Sequence, residues 1–315
     1  MKKRICCILL ILVLAFSLGA CSAVQKKYTI DLIVKSTNSD FWVSVYDGAK
    51  TAGAEHNIDL RFLGPMNEEE YKLQTSIFAQ SILSQPDAII LAAGDYDLMA
   101  EWVERAEAKN IPVILVDSGV NSDKWISFIS TDNYKAGEVL AREVEKRVGG
   151  TAEIGVISFV KNSLPAMERF AGFNDYIQNS TQMRVADMAY CGSDIDKAEQ
   201  LVREMVVRHP DIKVIAGLNA QSATGAARAL EALDRSDIFL AGIDCTVEEA
   251  DYVERGILDV AVLQNPYLMG YYSVETAFKT LKGKRVERNI YTEVYVIDKD
   301  NIFSEEYQRL IFPFY

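Results

Sequence analysis

The sequence predicts an α/β protein built from two doubly wound parallel-sheet lobes that a multi-strand hinge joins. Short apolar, β-branched runs alternate with amphipathic helical stretches, and this alternation occurs twice along the chain. The runs are apolar almost throughout, as in parallel strands that are buried on both faces. Strands that alternate with helices favour doubly wound α/β domains. The length of 315 residues suits two domains of ordinary size.

Ten candidate strands fall into two sets of five. Between them lie amphipathic stretches such as 99–109 and 198–208, and the second of these places apolar residues at helical spacing. The first set of strands comprises Thr29–Val34, Ile58–Leu63, Ala88–Ala93, Pro112–Val116 and Ile126–Ser130. The second set comprises Glu153–Phe159, Arg184–Tyr190, Lys213–Gly217, Phe239–Ile243 and Asp259–Leu263.

The first residues predict an export signal. A basic head, Met1–Arg4, precedes the apolar run Ile5–Leu18, which is shorter than the about 20 residues of a membrane span. The run closes on Leu18-Gly19-Ala20-Cys21, which resembles the lipobox of bacterial lipoproteins. We therefore expect a signal peptide at 1–20, a tether at 21–27 and a lipid on Cys21. The protein would be exported and anchored to the outer face of the cytoplasmic membrane; an ordinary signal peptide with an accidental cysteine is the alternative.

The charge argues against a nucleic-acid partner, and the positions of the cysteines argue against a disulfide. The chain has 45 acidic and 33 basic residues and a formal net charge of −12, which repels phosphate backbones and argues against a nucleic-acid partner. Beyond Cys21, the remaining cysteines are Cys191 and Cys245. The doubly wound strand order would place two strands between them, a separation of roughly 14 Å. A disulfide needs Cα atoms within about 7 Å, so we predict two free thiols.

No motif for catalysis or metal binding is present in the sequence. His56 and His209 are the two histidines, and they do not form a His-Glu-x-x-His pair. The sequence also contains no Gly-x-Ser-x-Gly elbow, no phosphate-binding loop and no Gly-x-Gly-x-x-Gly after the first strand. We therefore expect no catalytic residue, no metal and no cofactor, and an enzyme is the disfavoured alternative.

Polar and aromatic side chains follow the carboxyl ends of the predicted strands, where open parallel sheets bind their ligands. Carboxylates and amides bond hydroxyl groups, and aromatic faces cover the C–H faces of a sugar ring. The alternative is that each Asp or Asn caps the following helix. The candidate residues are Lys35, Ser39, Phe41, Trp42, Asp95, Asp117, Ser118, Arg169, Asn219, Asp244 and Gln264.

An ordered set of short motifs resembles the ribose- and allose-binding branch of the type I periplasmic binding proteins. The set covers essentially the whole chain after the signal. It comprises Lys35–Trp42, Ile111–Ile114, Thr131–Asn133, Glu168–Phe173, His209–Asp211, Gly242–Asp244 and Gln264–Pro266. The resemblance implies two lobes that close around a monosaccharide-like small molecule and deliver it to the permease subunits of an ABC importer. The alternative is a ligand-sensing receptor subunit for a histidine kinase or a chemoreceptor.

The resemblance also implies roles for individual residues. Phe41 and Trp42 would pack against the sugar ring, and Lys35 matches the lysine of allose-binding members. The residues that would bond sugar hydroxyls are Asp117, Arg169, Asn219, Asp244 and Gln264. Two departures leave the exact sugar, or a non-sugar polyol, open. Ser118 stands where relatives carry a charged residue, and the segment 191–196 lacks the second-lobe aromatic, for which Tyr190 or Ile195 are the candidates.

The topology of the resembling family implies the lobe boundaries. The N-terminal lobe would comprise residues 28–131 and 265–289. The C-terminal lobe would comprise 132–264 and 290–300, with a final strand near Tyr291–Ile297. The apolar tail at 301–315 is expected to pack on a lobe, and we expect the protein to be a monomer.

Overall fold

The strands of the chain form two six-stranded sheets in the computed structural model, which describes residues 27–311. The strands are β1 (Thr29–Ile33), β2 (Asp59–Leu63), β3 (Ala88–Leu91), β4 (Val113–Val116), β5 (Ser127–Thr131), β6 (Glu153–Ser158), β7 (Arg184–Tyr190), β8 (Ile212–Gly217), β9 (Phe239–Ile243), β10 (Val260–Leu263), β11 (Asn289–Thr292) and β12 (Tyr295–Ile297). The predicted α/β fold class is confirmed, and the ends of the ten predicted strands agree with the structure to within two residues.

Helices cover both faces of the sheets. They are α1 (Asp40–Glu55), α2 (Tyr71–Ser84), α3 (Ala100–Glu107), α4 (Asn133–Val148), α5 (Leu164–Ser180), α6 (Ile195–Arg208), α7 (Ala220–Ala232), α8 (Val247–Glu254), α9 (Pro266–Leu281) and α10 (Glu305–Ile311), with a 3₁₀ turn at Glu68–Glu70. Within residues 27–311, no helix is both long enough and apolar enough to cross a membrane. The signal peptide, Cys21 and most of the tether lie outside the described residues.

The first sheet has the strand order β11-β5-β4-β3-β1-β2 and the second has β12-β10-β9-β8-β6-β7. All pairs are parallel except β10 with β12. In the second sheet, β6 and β8 lie between β7 and β9, which agrees with the two strands predicted between the cysteines. Cys191 follows β7 and Cys245 follows β9, and both thiols are free.

The chain crosses between the lobes three times: after β5, after β10, and between β11 and β12. The single final strand predicted near Tyr291–Ile297 is wrong, because the segment forms two strands in different sheets. Since β11 pairs with β5 as far as Thr292, the predicted boundary between 289 and 290 is three residues too early. The run 290–297 is extended and rich in β-branched and aromatic residues throughout, so its sequence does not mark where the chain changes sheet.

Two closely packed helix pairs hold the segments that reach the space between the sheets. At Gly48 of α1, an added Cβ would lie 1.9 Å from the carbonyl oxygen of Tyr267 in α9. At Gly172 of α5, an added Cβ would lie 1.9 Å from the carbonyl oxygen of Tyr134 in α4. Only glycine permits such an approach of two backbones, so both helix pairs are fixed by the same device.

The described part of the predicted tail packs on the second lobe. Ile302 and Ile311 are buried in the same core cluster as the second sheet, whereas Phe303 is exposed. Residues 312–315 lie outside the described residues.

Candidate ligand-binding cleft

The carboxyl ends of strands from both sheets surround a cavity of about 30 Å³ between the lobes. Most of the residues predicted from the strand ends line it: Lys35, Ser39, Phe41, Trp42, Asp117, Arg169, Asn219, Asp244 and Gln264. Glu68, Phe159, Pro165, Ala220 and Gln221 complete the lining. Asp95 and Ser118 were also predicted but do not line the cavity.

The first-lobe wall of the cavity is built on a buried ion pair. Lys35, just after β1, places its Nζ 3.0 Å from Oδ2 of Asp117, and each side chain is only 4% exposed. Asp117 follows β4 with a positive φ of 59°, which is uncommon for a residue other than glycine. The Ser118 hydroxyl donates to Asp117 Oδ2 at 2.5 Å. Ser118 therefore supports Asp117 and does not face the cavity.

The second-lobe wall is built on Asp244, which follows β9 and also has a positive φ, of 80°. The Nε2 of Gln264 donates to Asp244 Oδ1 at 2.5 Å, and Nη1 of Arg169 lies 3.9 Å from Asp244 Oδ2. Burial raises the pKa of the Asp244 carboxyl, and the nearby Arg169 guanidinium opposes that rise. Within the described chain, Oε1 of Gln264 is buried without a hydrogen-bond partner, so it is available to a hydroxyl donor.

Arg169 is held in place by groups other than Asp244. Its Nε donates to Oδ1 of Asn133 at 2.8 Å, and its Nη1 donates to the carbonyl oxygen of Leu218 at 2.9 Å. The guanidinium therefore keeps two hydrogen bonds that do not depend on the acid at the cleft.

A second buried acid lies behind the second-lobe wall. Glu249 in α8 is fully buried, and its Oε2 accepts from the backbone N–H of Thr246 at 2.7 Å in a capping box. Burial, together with the nearby Asp244 carboxylate, raises the pKa of Glu249 to about 8. Burial likewise raises the pKa of the neighbouring Cys245 thiol. The second lobe thus carries a fully buried acid close to the mostly buried Asp244.

Aromatic side chains reach the cavity from both lobes. Phe41 and Trp42 meet edge to face with ring centroids 5.0 Å apart, and Trp42 both packs in the first-lobe core and lines the cavity. Phe159, the residue after β6, contributes the second-lobe aromatic. The Nζ of Lys35 lies 5.3 Å from the Trp42 ring centroid and 5.8 Å from that of Phe159.

The two candidates for the second-lobe aromatic lie outside this cavity. Tyr190 does not line the cavity, and Ile195 lines an outer polar groove. The sequence did contain a signal for Phe159, because it ends the predicted strand Glu153–Phe159. Because Phe159 is counted there as part of the strand, it is absent from the residues predicted to follow the strand end.

Glu68 forms a bridge across the cleft that no pattern in the sequence predicts. Its Oε1 accepts from Nε1 of Trp42 at 2.9 Å, and its Oε2 accepts from the hydroxyl of Ser193 at 2.7 Å. Ser193 in turn accepts from Nδ2 of Asn219 at 3.1 Å. A chain of hydrogen bonds therefore joins a first-lobe wall residue to a second-lobe wall residue.

Asp95 and Asn219 differ in how they use the strand-end position. Asp95 accepts from the backbone of Leu98 at 2.8 Å and from Nδ2 of Asn162 in the second lobe at 2.9 Å. It therefore caps a turn and bridges the lobes away from the cavity. Asn219 caps α7 by accepting from the backbone of Ser222 at 3.0 Å, so its cap and its place in the cavity coexist.

A larger, mainly apolar pocket of about 310 Å³ adjoins the cavity and shares Phe41, Ala220, Asp244 and Gln264 with it. Leu310 and Ile311 of α10 also line this pocket. The C-terminal helix therefore lies beside the cleft, where the chain crosses between lobes after β10.

The lobes are closed on one another in this arrangement. A cavity of about 30 Å³ has room for roughly two water molecules, far less than the heavy atoms of a monosaccharide require. Hydrogen bonds between the lobes, from Ser193 to Glu68 and from Asn162 to Asp95, accompany this small volume. Neither histidine lines the cavity. The lining residues offer hydrogen-bonding groups, charged groups and aromatic rings.

Comparisons with known proteins agree on one family. A profile described as a periplasmic binding protein domain matches residues 30–285. The ribose import binding protein RbsB of Escherichia coli (strain K12) is 28% identical over 279 residues, which is 88% of this chain and 93% of that protein. An ABC transporter solute binding protein from Agrobacterium vitis, with bound D-fucose, has a TM-score of 0.87 at 30% identity and covers 90% of this chain and 99% of its own. A sugar transporter from Clostridium phytofermentans has a TM-score of 0.81 at 35% identity and covers 87% of this chain and 100% of its own.

Proposed function

The chain belongs to the periplasmic binding protein family, and on that premise we propose that it captures a monosaccharide-like ligand between its lobes and delivers it to an ABC importer. The relatives are binding and transport proteins, not enzymes. The observation that carries the proposal is the cavity itself, where hydrogen-bonding groups and aromatic rings from both lobes converge. That combination suits a ligand with hydroxyl edges and C–H faces.

The walls divide the ligand contacts by chemistry. Phe41, Trp42 and Phe159 supply aromatic faces from both lobes, and Phe159 takes the place of the aromatic residue missing from 191–196. Asp117, Asp244, Asn219, Arg169 and Gln264 supply the hydrogen bonds to hydroxyl groups. In the ligand complex, Lys35 keeps Asp117 as its counter-ion and directs a second ammonium proton to the ligand.

Closure of the lobes is the step that the ligand drives. The cross-cleft bonds of Glu68 with Ser193 and of Asp95 with Asn162 form only when the lobes meet. A ligand that contacts both walls favours the closed state over the open one by its differential affinity. The three chain crossings act as the hinge.

Location follows from the N-terminal sequence. We infer that residues 1–20 direct export, that Cys21 becomes the lipid-bearing first residue, and that residues up to 27 tether a monomeric binding unit to the membrane. Mass spectrometry of the N-terminal peptide from purified membranes tests this. A lipid-modified peptide that begins at Cys21 is expected, and an unmodified peptide that begins elsewhere contradicts the anchor.

A thermal-shift screen of pentoses, hexoses, deoxy sugars and polyols tests the ligand class. A ligand at 100 times its Kd stabilises the folded state by about 2.7 kcal/mol, so the cognate sugar should raise the melting temperature by several degrees. The same sugar should shift the emission of Trp42, which lines the cavity, and Trp42→Phe should remove that shift. Amino acids serve as the comparison class, and a response to them with none to sugars contradicts the proposal.

The importer partner is tested separately. Cells that lack this chain should lose high-affinity uptake of the radiolabelled cognate sugar and should regain it when the chain is restored. Normal uptake together with a lost transcriptional response to the sugar would indicate a sensory receptor instead.

A further inference from the structure

Two carboxylates and one imidazole meet at the end of the α1–α9 helix pair, on the first lobe and away from the cleft. Glu55 is the last residue of α1, His56 follows it, and Glu275 lies on α9. One possible ligand atom from each residue lies within 4.8 Å of the other two. The close backbone approach at Gly48 keeps the two helices in contact, so residues far apart in sequence form one cluster.

Neighbouring side chains orient each member of this Glu55–His56–Glu275 cluster. The His56 ring stacks on Phe278, with centroids 4.0 Å apart and planes inclined by 10°, and its Nε2 contacts Oε1 of Glu275 directly. The Tyr271 hydroxyl donates to Oε2 of Glu55 at 2.8 Å. The ammonium of Lys279 lies 3.1 Å from Oε2 of Glu275.

We propose that the Glu55–His56–Glu275 cluster binds a zinc ion. Zinc accepts imidazole nitrogen and carboxylate oxygen and is satisfied by three protein ligands and a water. In the proposed site the ion lies between Nε2 of His56 and a carboxylate oxygen of Glu275, and a carboxylate oxygen of Glu55 completes the set of protein ligands. Tyr271 and Lys279 then act as outer partners, which orient the ligating carboxylates through their other oxygens.

The second histidine of the chain shows that this cluster differs from an ordinary histidine–carboxylate pair by its second carboxylate. His209, at the end of α6, places its Nε2 3.3 Å from Oδ2 of Asp187 in β7, so it also pairs with a carboxylate. That carboxylate is already bonded by Arg208 at 2.7 Å. Across residues 27–311, the Glu55–His56–Glu275 cluster is the one group whose ligand atoms meet the spacing for a metal ion. His209 therefore provides a matched control.

Zinc at this site would link the end of α1 to α9 and would bind only the folded lobe. Binding of that kind raises the melting temperature in proportion to the logarithm of the ion concentration. The 16 residues of α1 separate the cluster from the cleft by about 24 Å. Loss of the zinc site should therefore leave sugar affinity unchanged, and the two proposals can fail independently.

Calorimetry and thermal unfolding of the chelator-treated full chain test the proposal, with zinc chloride as the probe. Wild type and His209→Gln should each bind one ion and melt several degrees higher at about a hundredfold excess over Kd. His56→Gln and Glu275→Gln should lose this response, and Glu55→Gln should weaken zinc binding tenfold or more. Magnesium, which prefers six oxygen ligands, should have no effect.

Two results would overturn the zinc site. One is the absence of a zinc-dependent shift in wild type. The other is a shift that persists in both His56→Gln and Glu275→Gln. Unchanged binding of the cognate sugar by His56→Gln, or an unchanged melting temperature without zinc, shows that the variant is folded. Glu55 is exposed, so Glu55→Gln gives a variant whose folding does not depend on the replaced carboxylate.

Discussion

Two aspartates occupy equivalent places in the two lobes but differ in how their charge is balanced. Asp117 follows β4 and Asp244 follows β9, both with positive φ. Their backbone N–H groups donate to the neighbouring strand at 2.8 and 2.9 Å. Asp117 has the Lys35 ammonium at 3.0 Å, whereas Asp244 has an amide donor and a guanidinium at 3.9 Å.

The comparison shows that the topology fixes the position and backbone of each aspartate, whereas the neighbouring side chains fix its charge balance. The doubly wound fold places positions 117 and 244 at strand ends and sets their backbone, because the chain must turn there from the sheet edge into the following segment. The partners then decide the charge. The first-lobe wall is a closed ion pair. The second lobe holds two acids close to one guanidinium: Asp244 lies at the wall near Arg169, and Glu249 is buried behind the wall. The two walls should therefore respond differently to loss of charge.

Replacing each aspartate by asparagine should give the largest contrast. Asp117→Asn leaves the Lys35 ammonium buried without its counter-charge, and removal of one member of a buried pair costs about 3–5 kcal/mol of stability. Asp244→Asn should cost less than about 1 kcal/mol, the size of an ordinary neutral hydrogen bond, because Asn still accepts from Gln264 and Arg169 keeps two other bonds. Urea unfolding with unchanged m-values measures both. Equal losses would show that the walls are equivalent.

Lys35→Met tests the ion pair from its other side. Methionine keeps the apolar stem and deletes the charge, so Asp117 faces the cavity unpaired. Loss of one partner of a buried pair costs about 2–5 kcal/mol of binding, and sugar affinity should fall tenfold or more, each tenfold being about 1.4 kcal/mol. Lys50→Met, at an exposed ion pair on the same lobe, is the control. Unchanged affinity in a folded Lys35→Met protein would remove Lys35 from the site.

Glu249→Gln tests the acid surplus of the second lobe through pH. The folded pKa of Glu249 is about 8, above the unfolded value of about 4.3. Between those values the folded state binds the extra proton, so wild-type stability falls as pH rises through this window. At 1.36 kcal/mol per pKa unit, the loss across this window is on the order of 5 kcal/mol. Glutamine keeps the cap acceptor without the charge, so Glu249→Gln should flatten this fall in stability and unfold at a higher temperature than wild type at pH 8.5.

The exposed Glu254 of the same helix supplies the control for that experiment. Glu254→Gln should leave the dependence of melting temperature on pH as it is in wild type. If Glu249→Gln and wild type melt in parallel from pH 5 to pH 8.5, Glu249 does not hold a proton in the folded state.

The sequence predicted the sheets well because buried parallel strands are apolar along their whole length. It predicted most of the cavity because strand ends meet at one edge of a sheet, which is how Lys35, Asp117 and Asp244 come together. It failed where a residue's role depends on the opposite lobe. Asp95 follows a strand end, yet its side chain turns to Asn162 across the cleft, and no local pattern reports that contact.

Glu68 is the clearest case of a residue that sequence could not predict. It lies in the acidic run 68–70 after β2, which has the appearance of a solvated turn. Its role arises from Trp42 and Ser193, which are distant in sequence and lie in different lobes. The hydrogen bonds of Glu68 therefore connect the first-lobe wall to the second lobe, and neither half of the sequence alone predicts them.

Removal of the Glu68–Ser193 bond has the smallest expected effect of the four predictions. It tests whether the two walls act together. Hydrogen bonds to a charged group contribute about 1.5–3 kcal/mol, so Glu68→Ala should weaken sugar affinity roughly ten- to hundredfold. The neighbouring Glu69 provides the matched control, because its contact with Lys197 at 3.1 Å is also between lobes but solvent-exposed. Exposed pairs contribute about 0–1 kcal/mol, so Glu69→Ala should change affinity by less than fivefold.

The kinetics distinguish a closure bond from a simple ligand contact. The Glu68–Ser193 bond forms after the ligand has entered, so Glu68→Ala should raise the dissociation rate and leave the association rate near that of wild type. Ser193→Ala should reproduce part of the effect, since it removes the same cross-cleft bond while Trp42 keeps its partner. Equal affinity in Glu68→Ala and Glu69→Ala, measured by calorimetry and stopped-flow emission, would mean that each wall binds the ligand without the other.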